Sequence, residues 1–183
     1  MSKGLTDTHN AIRIIDPACG TGTFLLGVVD QANGQHGKSE LSDLATQSVG
    51  IDVMPACCAA AQLIFRQLPG TTTTQSASRV ICGDVIQDEQ LSESLLLADD
   101  RLPIVVGNPP YSNFGRHNQG NWIREQLAEY KAGLHERKIN LDDDFIKFLR
   151  WGQYWINRAG RGVLAMVTNN TYLTGLTPVS YTH

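Results

Sequence analysis

Residues 12–24 read Ile-Arg-Ile-Ile-Asp-Pro-Ala-Cys-Gly-Thr-Gly-Thr-Phe. The apolar start of this stretch predicts a buried β-strand over 12–15, which the Asp-Pro step ends. Gly20 and Gly22 permit a tight turn and mark the start of a helix over 23–32. A strand, a glycine turn and a helix form one βα unit, the repeating unit of a parallel sheet.

The same alternation recurs along the rest of the chain. Further strands are predicted at 48–51, 79–82, 103–107 and 163–168. Further helices are predicted at 56–67, 122–136 and 142–158, and the acidic stretch 87–101 predicts a loop with one helical turn. The pattern favours one α/β domain with a mostly parallel sheet, without an internal repeat or a second domain.

Composition restricts the class of protein. The 183 residues are enough for one domain, and 42% hydrophobic and 18% charged residues are typical of a globular chain. The net charge of −3 gives no basic footprint for a polyanion. If the substrate is DNA, we expect segments outside this chain to bind it.

The cysteines and the apolar runs exclude two further classes. The four cysteines lack CxxC spacing and companion histidines, so the sequence predicts reduced thiols and no metal site: Cys19, Cys57, Cys58 and Cys82. No apolar run reaches the roughly 18 residues of a membrane span, and the N-terminus lacks an apolar signal segment. A cytoplasmic protein is expected.

Carboxylates follow three successive predicted strands, at Asp16, Asp52 and Asp84. Ligands bind at the carboxyl ends of the strands in an open α/β sheet, so three acids at three successive strand ends together favour a binding site. Asp52 can accept hydrogen bonds from ribose hydroxyls, and Asp84 from an adenine amine. Each aspartate can also be an ordinary turn former, so both interpretations stay open. The glycine turn is not G-x-G-x-x-G, which disfavours a dinucleotide site.

The predicted fourth strand ends on Asn108-Pro109-Pro110-Tyr111. Two prolines stiffen the loop and remove two backbone donors. We therefore expect the Asn108 amide oxygen and the Pro109 carbonyl to lack local donors, so that they can hold the two hydrogens of an exocyclic amine. Tyr111 can stack on the ring that carries this amine. The alternative is a rigid turn with a surface tyrosine.

Together these residues resemble the adenine-specific DNA methyltransferases. Residues 16–22 are similar to that family's S-adenosylmethionine motif, and residues 108–111 match its Asn-Pro-Pro-Tyr motif, in the order of the gamma class. Residues 141–148 and 168–173, with Tyr130, resemble the methylase modules of type ISP and type IIG restriction-modification enzymes.

The resemblance implies a Rossmann-like methyltransferase fold that transfers a methyl group from S-adenosylmethionine to the N6 amine of a flipped adenine in double-stranded DNA. It implies catalytic roles for Asn108, Pro109, Pro110 and Tyr111. The implied cofactor-binding residues are Asp16, Ala18, Cys19, Gly20, Gly22, Phe24, Asp52, Val53, Asp84, Val85 and Phe148. Phe148 can equally be plain core, since it lies on an amphipathic helix.

The chain also departs from the family pattern. Few residues precede the first strand, and two further strands and a target-recognition region are expected beyond the fifth strand. We therefore expect a partial catalytic domain at 1–175, with a sheet incomplete at its C-terminal edge, and an unassigned tail at 176–183. Nuclease or helicase modules are expected elsewhere in the parent protein, and little methylation by the isolated chain.

Two rival functions remain. Asn-Pro-Pro-Tyr also serves methyltransferases of protein glutamine amides and of RNA amines, and the chain can instead be an inactive cofactor-binding fragment. The Asp-Pro-Ala-Cys-Gly turn and residues 141–173 favour DNA over protein or RNA as the substrate, whereas the inactive fragment stays open.

Overall fold

The computed structural model describes residues 12–36, 47–67, 79–97, 100–111, 120–131 and 143–168. The expected tail at 176–183, the family-like segment 169–173 and part of 141–148 lie outside these residues. No helix in the described ranges is long and apolar enough to cross a membrane.

Within the described residues, five parallel strands form the sheet. They are β1 (Ile12–Asp16), β2 (Ser48–Asp52), β3 (Arg79–Cys82), β4 (Leu102–Gly107) and β5 (Val163–Met166). The strand order is β3-β2-β1-β4-β5, and every neighbouring pair is parallel. The predicted parallel α/β architecture is confirmed. Because the chain reverses its direction of strand addition between β1 and β4, the crevice beyond these two strand ends is where ligands bind in such sheets.

The part of the chain that the structure describes contains five helices between the strands. They are α1 (Thr23–His36), α2 (Pro55–Arg66), α3 (Glu89–Leu96), α4 (Asn121–Lys131) and α5 (Asp144–Ala159). The prediction of a mere helical turn within 87–101 was wrong, because α3 has eight residues. Asp88 caps α3 by accepting from Leu91 N at 2.8 Å, and Leu95 and Leu96 are buried. Capping and burial outweigh the polar composition of this stretch.

The core has one layer on each side of the sheet. Successive residues of a strand point to opposite faces, so Ile15 packs with α3, α4 and α5 while Ile14 packs with α1 and α2. Trp151 and Trp155 of α5 are fully buried in the first layer. The Trp151 indole donates to Ser92 Oγ at 2.8 Å, so this large side chain also satisfies its polar atom. The two layers hold the carboxyl ends of the strands in fixed positions.

Candidate active site

The glycine loop, residues 17–22, joins β1 to α1 and lies against the end of β2. Cys19 N donates to Ile51 O at 2.8 Å, and Gly20 N donates to Asp52 Oδ2 at 2.9 Å. The loop is therefore fixed to the end of β2 by one main-chain carbonyl and one carboxylate.

Two glycines of this loop have left-handed backbone conformations, Gly20 with φ 54° and Gly22 with φ 88°. A Cβ added to Gly22 would lie 2.8 Å from Phe65 Cε2, so this glycine lets the loop pack closely on α2. A Cβ added to Gly20 would meet no atom within 4 Å. Gly20 therefore faces open space, where a ligand can approach the backbone.

Asp16, Asp52 and Asp84 share one local geometry. Each carboxylate accepts from the main-chain N–H two residues ahead, at 3.1, 2.8 and 2.9 Å respectively. The turn-forming role left open for these aspartates is therefore real. It does not exclude ligand binding, since a carboxylate has about four acceptor positions.

Asp52 connects the glycine loop to the region after β2. Its two oxygens accept from Gly20 N and Met54 N. The apolar side chains that follow, Val53 and Met54, are 59% and 56% exposed. An acceptor beside two exposed apolar side chains is suited to a sugar hydroxyl next to a flat ring.

Asp84 lies at the end of β3, beside Asp52. Gly83 N donates to Asp52 O at 3.0 Å, and Gln87 Nε2 donates to Asp84 Oδ2 at 2.8 Å. The Val85 side chain is 1% exposed and packs in the core. Any contact of Val85 with a ligand would therefore use its main chain.

Asp16 is the most deeply buried of the three aspartates, at 1% exposure. Burial raises the pKa of its carboxyl to about 7; the Ala18 N–H opposes this rise and the nearby Asp52 carboxylate adds to it. Burial, together with Asp16 and Asp52, also raises the pKa of the Cys19 thiol to about 12, so this thiol stays protonated.

Asp16 also touches β4. A Cβ added to Gly107 would lie 2.7 Å from Asp16 Oδ1, so the absence of a side chain at this position lets the carboxyl approach the strand. Asn108 follows Gly107 directly. The end of β1 and the proline loop, residues 108–111, therefore meet at the point where strand order reverses.

The proline loop is held by Tyr111. Its hydroxyl lies 2.7 Å from Val167 O and 3.2 Å from Asn108 Oδ1. The expectation that the amide oxygen of Asn108 lacks a local donor was wrong, because the tyrosine three residues ahead turns back onto it. Asn108 and Tyr111 remain exposed to solvent, Tyr111 at 41%.

The ring of Tyr111 stacks on Phe145, with centroids 5.5 Å apart and planes at 28°. Phe145 is 3% exposed and lies in the first turn of α5, where Asp143 Oδ1 accepts from its N–H at 3.1 Å. Phe148 is 6% exposed and lies in the core, which is the packing role left open for it. Phe24, by contrast, is 37% exposed at the start of α1.

Sequence reasoning missed Phe145 and Val167. Phe145 carried a signal, since an aromatic residue after a run of capping aspartates lies at the helix end nearest the strand termini. Val167 carried none, because its contribution is a main-chain carbonyl.

Comparisons with known proteins identify the family and the fold. The family model described as N-6 DNA methylase matches residues 1–175. The fold is similar to the DrdV–DNA complex, solved by cryo-electron microscopy, with a TM-score of 0.67 and 22% identity over 94% of this chain and 18% of that chain.

Two further solved structures share the fold. A nuclease-deletion mutant of the type ISP restriction-modification enzyme LlaGI, in complex with a DNA substrate mimic, gives a TM-score of 0.66 and 19% identity over 93% of this chain and 16% of that one. A modification subunit of a putative type I restriction enzyme from Vibrio vulnificus gives 0.54 and 20%, over 91% and 32%.

The chain thus spans less than a third of the length of each of these structures. The predicted resemblance to the methylase modules of restriction-modification enzymes is confirmed. The match over 1–175 shows that the chain belongs to the N-6 DNA methylase family, the adenine-type DNA methyltransferases.

Proposed function

We propose that this chain transfers a methyl group from S-adenosylmethionine to the exocyclic N6 amine of adenine in DNA, as the methylase module of a restriction-modification enzyme. The observation that carries the proposal is the meeting of the glycine loop and the proline loop. Asp16, at the base of the first, lies against Gly107, at the base of the second. A nucleoside held at one loop is then beside an amine held at the other.

The residues around the glycine loop fit this cofactor. The space over Gly20 leaves room for a ligand against the backbone, and the exposed Val53 and Met54 offer apolar surface for a purine ring. Asp52 would bind ribose hydroxyls, and Asp84 would bind the adenine amine. The buried Asp16 would offset the positive charge of the cofactor. The remaining proposed cofactor-binding residues are Ala18, Cys19, Gly22, Phe24 and Val85, while Phe148, which lies in the core, would serve packing instead. When bound, S-adenosylmethionine supplies a methyl group on a sulfonium sulfur, which is a good leaving group.

The proline loop would hold the base. Asn108 Oδ1 and the Pro109 carbonyl accept the two amine hydrogens, which draws the nitrogen lone pair out of conjugation with the ring and makes it a better nucleophile. The exposed face of the Tyr111 ring, opposite Phe145, stacks on the flipped base. Pro110 keeps the loop rigid, so the acceptors are positioned before the base arrives.

The rest of the enzyme would bring DNA to this site. The net charge of −3 gives the chain no overall electrostatic attraction for DNA. We therefore place target recognition, and any nuclease or helicase modules, in other parts of the parent protein. Residues 1–175 would act as the methyltransferase domain, with 176–183 as a tail outside it.

The test is methyl transfer by the full-length gene product. We expect tritium from labelled S-adenosylmethionine to appear in unmethylated plasmid DNA as N6-methyladenine, and Asn108→Ala to reduce the rate of labelling by about 10²–10³-fold. Protein release factor and ribosomal RNA are the competing substrates in the same assay. Label in either of these, with none in DNA, would contradict the proposal.

A further inference from the structure

The hydroxyl of Tyr111 has a role that stacking does not require. A ring that stacks on a base needs no polar atom, yet this hydroxyl lies 2.7 Å from Val167 O and 3.2 Å from Asn108 Oδ1. Val167 is 56 residues away along the chain. The hydroxyl therefore joins the proline loop to a distant strand end.

A hydroxyl has one hydrogen to donate, and here two acceptors compete for it. The contact with Val167 O has the length typical of an O–H···O hydrogen bond, whereas 3.2 Å exceeds the usual range. The hydrogen therefore belongs mainly to Val167 O. Asn108 Oδ1 stays close to the hydroxyl but is only weakly engaged.

Val167 holds the proline loop at both of its ends. Its N–H donates to Gly107 O at 2.9 Å, immediately before the loop, and its carbonyl accepts from Tyr111 at the last residue of the loop. The ring of Tyr111 is fixed from a second direction by Phe145. Among the described residues, the loop itself thus has two attachments, both through Tyr111, and the hydrogen bond from Val167 N–H to Gly107 O holds the residue before it.

We propose that the Tyr111 hydroxyl is a positioning group, distinct in purpose from the ring. It fixes the proline loop to the end of β5 through Val167 O, and it gives up its weak contact with Asn108 Oδ1 when an amine hydrogen arrives there. The acceptor is thus kept in place before binding and becomes free on binding. This inference rests on the proposed function for the amine, but the attachment to Val167 exists without it.

The kinetic test compares two variants of the full-length gene product with a matched control. Tyr111→Phe keeps the ring, so KM for DNA should stay within about twofold, while kcat should fall about tenfold for the loss of one hydrogen bond. Tyr111→Ala should impair both parameters. The control is Tyr154→Phe, which removes a tyrosine hydroxyl that contacts Arg158 on α5 instead; it should change neither parameter. An unchanged kcat for Tyr111→Phe would overturn the proposal.

Hydrogen exchange on the chain itself gives a readout that does not need methylation. In Tyr111→Phe, the amide of Val167 should exchange about tenfold faster, because its partner Gly107 is no longer held from the far end of the loop. The amide of Cys19, which is bonded to Ile51 O, should be unchanged and reports on the integrity of the fold. Equal exchange of the Val167 amide in both proteins would overturn the attachment. If the wild-type enzyme methylates no DNA, the proposed function fails, while the exchange result still decides the attachment.

Discussion

The glycine loop and the proline loop lie at neighbouring strand ends but are held in different ways. A main-chain hydrogen bond to Ile51 O and the Asp52 carboxylate fix the glycine loop to the adjacent strand β2. One side chain, Tyr111, fixes the proline loop to β5 and α5. We expect a rigid backbone at the glycine loop to favour nucleoside binding, because the loop is already ordered. We expect the single-residue attachment of the proline loop to let the loop adjust when a flipped base enters. The comparison predicts that substitutions in the two loops have separable effects.

The largest effect is expected in the proline loop. Asn108→Ala removes the proposed acceptor for the amine hydrogen, which would act as charge develops on the amine, so kcat should fall by about 10²–10³-fold. The affinity for S-adenosylmethionine should change little, because Asn108 makes no contact with the glycine loop among the hydrogen bonds of the described residues. Single-turnover methylation by the full-length gene product and calorimetric titration of the cofactor measure the two quantities.

The opposite pattern is expected at Asp52. Asp52→Ala removes the acceptor for Gly20 N and the proposed ribose acceptor together, so cofactor affinity should fall by about 10 to 100-fold. With saturating cofactor, kcat should recover to near the wild-type value. If the Asn108 and Asp52 variants lose affinity and kcat to the same degree, the division of labour between the loops is refuted.

Two glycines provide a finer comparison inside one loop. Gly22→Ala must adopt a positive φ and also push its Cβ against the buried Phe65 ring, so unfolding free energy should fall by about 3 kcal/mol. Gly20→Ala meets only the backbone cost, about 1 kcal/mol, because its Cβ enters open space. Urea unfolding of the chain measures both changes. A larger loss at position 20 than at 22 would show that the loop is packed differently.

The last and most specific prediction concerns pH. The pKa of Asp16 is higher in the folded chain, about 7, than its ordinary value of 3.8. Protonated Asp16 therefore favours folding, and this contribution is complete below pH 3.8 and is lost as the pH rises to about 7. The unfolding free energy of Asp16→Asn minus that of wild type should therefore increase from pH 5 to pH 8. Urea unfolding of both proteins at the two pH values measures this difference. Relative loss of stability over this interval would mean that Asp16 is held in its charged form.

Much of this arrangement could be predicted from the sequence, because strand ends and glycine turns are local features. Apolar runs such as residues 12–15 predict the position of each strand. Parallel pairing of these strands then brings Asp16, Asp52 and Asp84 to one edge of the sheet. The surroundings of the proline loop could not be predicted in the same way. Its partners, Phe145 and Val167, come from elements later in the chain, and the contact with Val167 depends on a main-chain atom that any residue could supply.

Helix α3 is a second case in which contacts with a distant element could not be predicted from the local sequence. Its polar composition predicts a loop, yet the cap at Asp88 and the burial of Leu95 under α5 make a helix of eight residues. Local propensity was outweighed by packing that depends on the position of another element.

The most direct test of a nucleoside site beside the proline loop is a crystal structure of the chain with S-adenosylhomocysteine, the demethylated product of the proposed cofactor. We predict the ribose hydroxyls on Asp52, the adenine between Val53 and Asp84, and the sulfur facing Asn108. A nucleoside bound elsewhere, or a sulfur directed away from the proline loop, would contradict the account.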